Sequence, residues 1–378
     1  MIKLLKSKTV KLSVAFILLS LVLLNISAFK TSIHEQKQTS TNVKFLEPFT
    51  SDMNAFVSIW DTTRTSSGSS GNNQVQLPLQ SSGTYNFVVD WGDANNDSIT
   101  AWNQATVRHI YASEGIYTII ITGIIIGWRF NYEGDCLKII EIQQWGCLQL
   151  GNSGTYFYGC SNLELTATDN LNLMGTTSLF RAFMHCTNLG SSGKINGWNV
   201  SSVTNMAWMF YFASSFNQPI GNWDTSSVTD MSYMFDEAFS FNQPIDNWDV
   251  SHVTTMFSMF RDAFSFNQPL GSWNISSVKN MNYMFYEGSL STRNYDKLLL
   301  GWSQLPLQTN VTFHAGNSKY SNSSKYARQF IITNFSWNII DGGLATPSSL
   351  VIPGYNLVLI VAVLSITNAI MIKKNRRY

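Results

Sequence analysis

From Gly197 to Glu287 the sequence repeats itself every 25 residues. Trp198, Trp223, Trp248 and Trp273 mark the period, with Val203, Val228, Val253 and Val278, then Met206, Met231, Met256 and Met281. Met209, Met234, Met259 and Met284 are each followed by Phe, and Phe216-Asn217-Gln218-Pro219 recurs as Phe241–Pro244 and Phe266–Pro269. A unit this short cannot bury its own Trp, Met and Phe. Only its neighbours can cover them, so the chain is committed to stacking.

Within one unit Val228, Met231, Met234, Phe235 and Ala238 recur at spacings of three and four, which predicts a short helix with its cap among Thr225, Ser226 and Ser227. The piece around Ile220 to Asp224, after Pro219, reads as a short strand with Trp223 pointing inward. The unit length falls among leucine-rich repeats. The expected fold class is therefore α+β: a leucine-rich-repeat-like solenoid with a short strand and short helix per repeat. Weaker copies, Phe157–Leu163 and Phe183–Leu189, extend the array upstream, so it is placed at 135–288 with a capping module at 289–343. The Met and aromatic stripe reads as core rather than as a cofactor site.

The two ends carry different signals. Lysines precede an apolar run from Leu12 to Ile26 and the small pair Ser27-Ala28, so 1–28 reads as a signal peptide, or as an uncleaved signal anchor, followed by a linker at 29–44. Leu350 to Ile372 is mostly apolar and is followed by a basic tail, 373–378. That pattern predicts a transmembrane helix with the tail inside and the bulk of the chain extracellular, a single-pass cell-membrane protein. Four lysines in the first eleven residues and four basic residues in the last six account for eight of the 24 Lys and Arg; the 16 that remain face 23 Asp and Glu. An acidic middle argues against a nucleic-acid partner. Six N-x-Ser/Thr sequons in the middle region, at Asn96, Asn199, Asn274, Asn310, Asn322 and Asn334, suit an outside location.

No catalytic constellation or phosphate loop is legible, and no cofactor is expected. His34, His109, His185, His252 and His314 are scattered. Asp90, Asp93 and Asp97 with Asn95 and Asn96 could ligate Ca²⁺ but read more simply as a turn, so no metal is expected. Asn217, Asn242 and Asn267 occupy one register and predict a buried amide ladder. Cys160 and Cys186 share a register one unit apart, which predicts a disulfide, with Cys136–Cys147 as a second; buried free thiols are the alternative. If the array binds a ligand, the outward positions flanking each Trp are the candidates: Gly197, Asn222, Asn247 and Ser272 on one side, Asn199, Asp224, Asp249 and Asn274 on the other.

The unit Phe216–Phe235 resembles the 25–26-residue repeat of BspA-like bacterial surface proteins and mycoplasma lipoproteins, and the segment from Asn294 to Gly343 is similar to the closing module of such proteins. Tyr85–Asp93, His109–Tyr111 and Gly115–Thr118 are similar to polycystic-kidney-disease (PKD) domains, which implies a small β-sandwich at 45–130. These resemblances imply a non-catalytic surface protein that recognises or adheres to an unknown protein or glycan. A structural coat or matrix protein that self-associates is the alternative.

Overall fold

The computed structural model describes residues 54–346. The expected signal, the linker, the apolar segment 350–372 and the basic tail lie outside the described residues. Eleven strands precede, follow or border the repeats: β1 (Phe56–Asp61), β2 (Gln74–Gln76), β3 (Leu79–Asp90), β4 (Asn96–Ile99), β5 (Arg108–Ile110), β6 (Ile116–Trp128), β7 (Ile139–Gln144), β8 (Leu148–Gln149), β9 (Glu164–Leu165), β10 (Thr312–His314) and β11 (Asn338–Ile340). The two α-helices among the described residues are α1 (Thr292–Trp302) and α2 (Lys325–Phe335).

The expected fold class does not hold. The described chain is mostly strand and turn, neither α-helix lies inside the repeats, and no described helix is long and apolar enough to cross a membrane. Nor is there a separate small sandwich before the repeats. One seven-stranded sheet runs β4-β3-β6-β1-β7-β9, with β8 beside β6. It is antiparallel from β4 to β7 and then turns parallel, β7 with β9 and β6 with β8, where the repeating chain begins. Along β6, Ile119 and Ile121 are buried between less buried neighbours, as a strand with one covered face requires.

The residues expected to form a helix in each repeat are buried as predicted, but by a different backbone. Val228, Met231, Met234, Phe235 and Ala238 are fully buried. Tyr233 and Glu237, four residues apart, have φ of 58° and 57°, a left-handed conformation that a right-handed helix cannot contain. The same two registers are left-handed in the neighbouring units, at Arg181 and His185, Trp208 and Phe212, Ser258 and Asp262, Tyr283 and Glu287. The chain therefore runs as consecutive tight turns, whose four-residue step places apolar side chains inward at spacings that imitate a helix.

The amides explain why this backbone is stable. Met231, Tyr233, Phe235 and Glu237 donate to the carbonyls of Thr255, Phe257, Met259 and Arg261 in the next unit at 2.8–3.2 Å. Met234, Asp236 and Ala238 donate instead three residues back within their own unit. From Tyr233 to Ala238 the amides are thus used alternately across and along the chain, and Ser232 donates to the Asp230 side chain. The strands expected around Ile220–Asp224 do not form. One parallel bridge per unit, Ser178–Asn205–Asp230–Thr255–Asn280, stands in their place, seven residues beyond each Trp.

Identical side chains consequently sit above one another. Phe157, Phe183, Phe210, Phe235, Phe260 and Phe285 form a column with successive ring centroids 5.3–5.8 Å apart and planes within 13° of parallel. Trp198, Trp223 and Trp248 stack likewise at 6.2–6.3 Å. The indole N–H of Trp223, Trp248 and Trp273 donates to the carbonyl of Ile195, Ile220 and Ile245 in the preceding unit. Trp302, at the end of α1, makes the same bond to Leu270, so the helix takes the place of a further unit. Phe313 of β10 meets Phe285 edge-on at 80° and ends the Phe column.

Candidate interaction surface

Between the buried positions of each turn, some side chains must point outward, and the left-handed residues are among them. Trp208, Tyr233 and Tyr283 share one register; Arg181 holds it in the unit before them and the buried Ser258 in the unit between Tyr233 and Tyr283, where Phe257 fills the gap. Trp208 and Tyr233 stack at 3.8 Å, and Phe257 lies 5.0 Å from Tyr233 and 5.7 Å from Tyr283. The file continues at both ends. Tyr132 stacks on Tyr158 at 5.0 Å and His185 bridges that pair to Tyr211, while Tyr283, Tyr286 and His314 close the other end. Tyr132 is 57% exposed, Tyr283 48% and Tyr286 37%.

Charged groups run beside these rings. Arg261 reaches into the preceding unit, where Nε holds both oxygens of Asp236 at 2.8–2.9 Å and Nη2 holds Glu237 at 3.0 Å. The Tyr211 hydroxyl donates to Glu237 at 3.1 Å. Asp236 is wholly buried, and that burial pushes its carboxyl up to about 7 in spite of Arg261. Burial and the Glu237 carboxylate push Tyr211 up to about 12. Burial holds His185 and His314 below the usual imidazole range, so both are neutral donors and acceptors at neutral pH. The result is a ribbon of aromatic edges, hydroxyls and carboxylates along consecutive units, suited to hydrogen bonding and apolar contact together.

The outward positions singled out from the sequence have local tasks. Asn199, Asp224, Asp249 and Asn274 are exposed, and each accepts the backbone N–H two residues on, from Ser201, Ser226, Ser251 and Ser276. Asn222 donates its backbone N–H to the Asn196 side-chain oxygen, Ser272 donates to the Asp246 carbonyl, and Asn247 is exposed beside Trp248. Gly197 lies against the Asn170 side chain. The Asn217, Asn242 and Asn267 column forms the predicted ladder, each side chain accepting the N–H of Asn242, Asn267 and Ser291 in turn, but at the surface and not in the core.

The structure shows Cys136, Cys160 and Cys186 as thiols, and the Cys147 sulfur lies 3.3 Å from the Ile121 carbonyl. Cys160 and Cys186 share the predicted register and are fully buried, which pushes both thiols well above their usual range, and Cys186 lies 3.0 Å from the Phe157 carbonyl. The acidic turn after β3 is a turn. Asp90 and Asp93 accept the N–H of Gly92 and Asn95, and Asp97 accepts the Trp91 indole. Asp93 also meets His109 at 2.8 Å; burial raises its carboxyl, but the bonds from His109 and Asn95 outweigh that and hold it low. Among the described residues no group of three or more His, Cys, Asp or Glu could hold a metal.

A separate open groove of about 600 Å³ lies where the sheet meets the first repeats, lined by Arg64, Glu141, Asn162, Glu164 and Asn188 with small polar neighbours. Glu141 and Glu164 face each other in register on β7 and β9. Their oxygens already hold Thr166 and Asn188, and Arg64 bonds Asp61 and Asn162, so the groove's polar groups largely satisfy one another.

The aromatic ribbon is not legible from one unit's helix expectation, since it forms between units, where Trp208 meets Tyr233 and Tyr233 meets Phe257. The signal that could have found it is the recurrence of aromatic residues within two positions of the second Met of each unit, at Trp208, Tyr211, Tyr233, Phe257, Tyr283 and Tyr286. Residues 177–298, about a third of the chain, match a family described as "Mycoplasma protein of unknown function, DUF285". No curated protein and no solved structure matches the chain.

Proposed function

We propose that this chain is a non-catalytic recognition or adhesion protein displayed on the outside of a cell, with the aromatic ribbon from Tyr132 to His314 as its contact face. The observation that carries the reading is that ribbon. Its rings are exposed at the two ends, at Tyr132, Tyr283 and Tyr286, and partly buried between them, at Trp208, Tyr233 and Phe257, and they recur over consecutive units while the fold's own core is built from other residues. Aromatic side chains dominate the energetic centres of protein interfaces, and the carboxylates and hydroxyls beside them add directional bonds. The family match supports the reading at its coarsest level, as likeness to mycoplasma proteins. The finer likeness, to BspA-like surface repeats, rests on the Phe216–Phe235 unit and is part of the proposal, as is attachment to the membrane through the apolar residues 350–372.

The test is a binding screen of the full-length chain on arrays of cell-surface glycans and purified surface proteins, repeated with Tyr132→Ala and Tyr283→Ala, both exposed enough to leave the fold intact. The proposal expects at least one binder that both substitutions weaken. Binders indifferent to both would overturn the choice of face. Self-association of the chain as the sole interaction would favour a coat component instead.

A further inference from the structure

Charge is not spread evenly along the described residues. Residues 54–288 carry 18 Asp and Glu against eight Lys and Arg, whereas 289–346 carry Arg293, Lys297, Lys319, Lys325 and Arg328 against only Asp296 and Asp341. Both of those acids are consumed internally. Asp296 accepts from Ser321 and Ser324, and Asp341 from the Tyr295 hydroxyl and Arg328. Arg293, Lys297, Lys319 and Lys325 remain exposed. The surface of this module is therefore cationic, while that of the repeats is acidic.

The same module bears the most exposed aromatic ring among the described residues. Tyr326 is 83% exposed and Phe330, one turn further along α2, is 43% exposed. Leu344, 44% exposed, bridges to Tyr320 just before α2, and Lys319 and Lys325 flank that stretch. Helix α2 buries Ile331 fully and packs Ile332 and Phe335 partly against the core, while Lys325, Tyr326, Gln329, Phe330, Thr333 and Asn334 are exposed. Basic side chains interleaved with an exposed tyrosine and phenylalanine fit the boundary between anionic headgroups and acyl chains, where amphipathic rings and lysine stems both settle.

Position in the chain adds a constraint. The described residues end at 346 and the apolar stretch starts at Leu350. Four residues span at most about 14 Å. Wherever that stretch meets lipid, the module is held at the headgroup layer.

We infer that the C-terminal module lies against an anionic lipid surface through α2 and its flanking lysines, with Tyr326 and Phe330 in the interface. This rests on the membrane attachment proposed above. An acidic repeat array is repelled by the same surface, so one charge pattern both docks the module and directs the ribbon away from the lipid.

Hydrogen exchange of the α2 amides, followed by mass spectrometry on the full-length chain, tests this in vesicles of phosphatidylcholine alone and with added phosphatidylglycerol. Exchange across 325–335 is expected to slow several-fold in the anionic vesicles. Paired Tyr326→Ser and Phe330→Ser should abolish the slowing, Tyr326→Phe should keep it, and Lys319→Glu or Lys325→Glu should each reduce it by about five-fold or more, the weight of one basic residue near such a surface. Equal exchange in both vesicles, with the chain still sedimenting with them, would overturn this inference alone. A chain that does not sediment with either vesicle overturns the membrane attachment and this inference with it. Protection that appears only on adding a protein extract would assign the patch to a protein partner and also overturn it.

Discussion

The seven-stranded sheet and the repeat array solve the same problem, burying many large rings, in opposite geometries. Around Trp128 in the sheet the rings meet edge to face, with Phe56 at 74°, Trp60 at 70° and Phe130 at 85°. In the array Phe210, Phe235 and Phe260 lie within 9° of parallel. Edge-to-face and offset-parallel contact both suit aromatic quadrupoles. Translation by one unit leaves only the second, since the same residue at the same rotamer must land parallel to its copy. The array thereby combines parallel rings with regular backbone bonding across units, whereas the sheet packs rings edge to face from a sequence that never repeats.

The largest expected effect breaks the array at its centre. Phe235→Ala removes a fully buried ring with a neighbour above and below, and should cost about 3–5 kcal/mol in urea unfolding. Because each unit contacts only its neighbours, this variant should separate unfolding of the array from that of the sheet, while Phe56→Ala, of similar cost, should not. A single transition for both variants would show that the two regions unfold as one and that the contrast is geometric only.

A medium effect tests the one charge the array buries. The Asp236 carboxyl, pushed up to about 7 in the folded chain, has an ordinary value of 3.8 when exposed. Between these values the folded form holds a proton that the unfolded form has released. Asp236 therefore contributes stability below about pH 4 that is lost as pH rises through 7. Asp236→Asn should flatten that part of the stability-against-pH curve, and Arg261→Ala should steepen the loss by leaving the buried carboxylate unpaired. Curves that superimpose for wild type and Asp236→Asn would refute the assignment.

The smallest effect lies at the surface ladder. Asn242→Ala deletes the acceptor for the Asn267 N–H and one partner of Gln268, and should cost about 0.5–1.5 kcal/mol. A loss several times larger would mean that the ladder, and not the ring columns, holds the units in register.

What the sequence revealed follows the same division. The period, the buried identity of Val228, Met231, Met234 and Phe235 and the register of the Asn ladder were readable, because each depends on spacing alone; the place of Trp302, 29 residues after Trp273, was not. Nor was the backbone. A run of four-residue turns and a helix both bring every third or fourth residue inward, and only the left-handed residues separate them, at positions occupied by Trp, Tyr, Ser, Glu and Asp and not by the glycine that would announce the conformation. The aromatic ribbon was lost with the helix assignment, since its alignment exists only when the turns stack. The expected Cys160–Cys186 bridge had the right register, yet both side chains remain thiols, Cys186 lying beside a backbone carbonyl.

The central claim is that the 25-residue unit is one layer of stacked turns, interchangeable with its neighbours. Removing 231–255 joins Asp230 to Met256 and deletes one whole layer, including Asp236 and Glu237. Urea unfolding of that variant should remain cooperative, with a slope reduced in proportion to the surface lost, whereas removing half a unit should abolish cooperative unfolding. If loss of the whole layer also abolishes it, or if half a unit is tolerated equally well, the layered account is wrong.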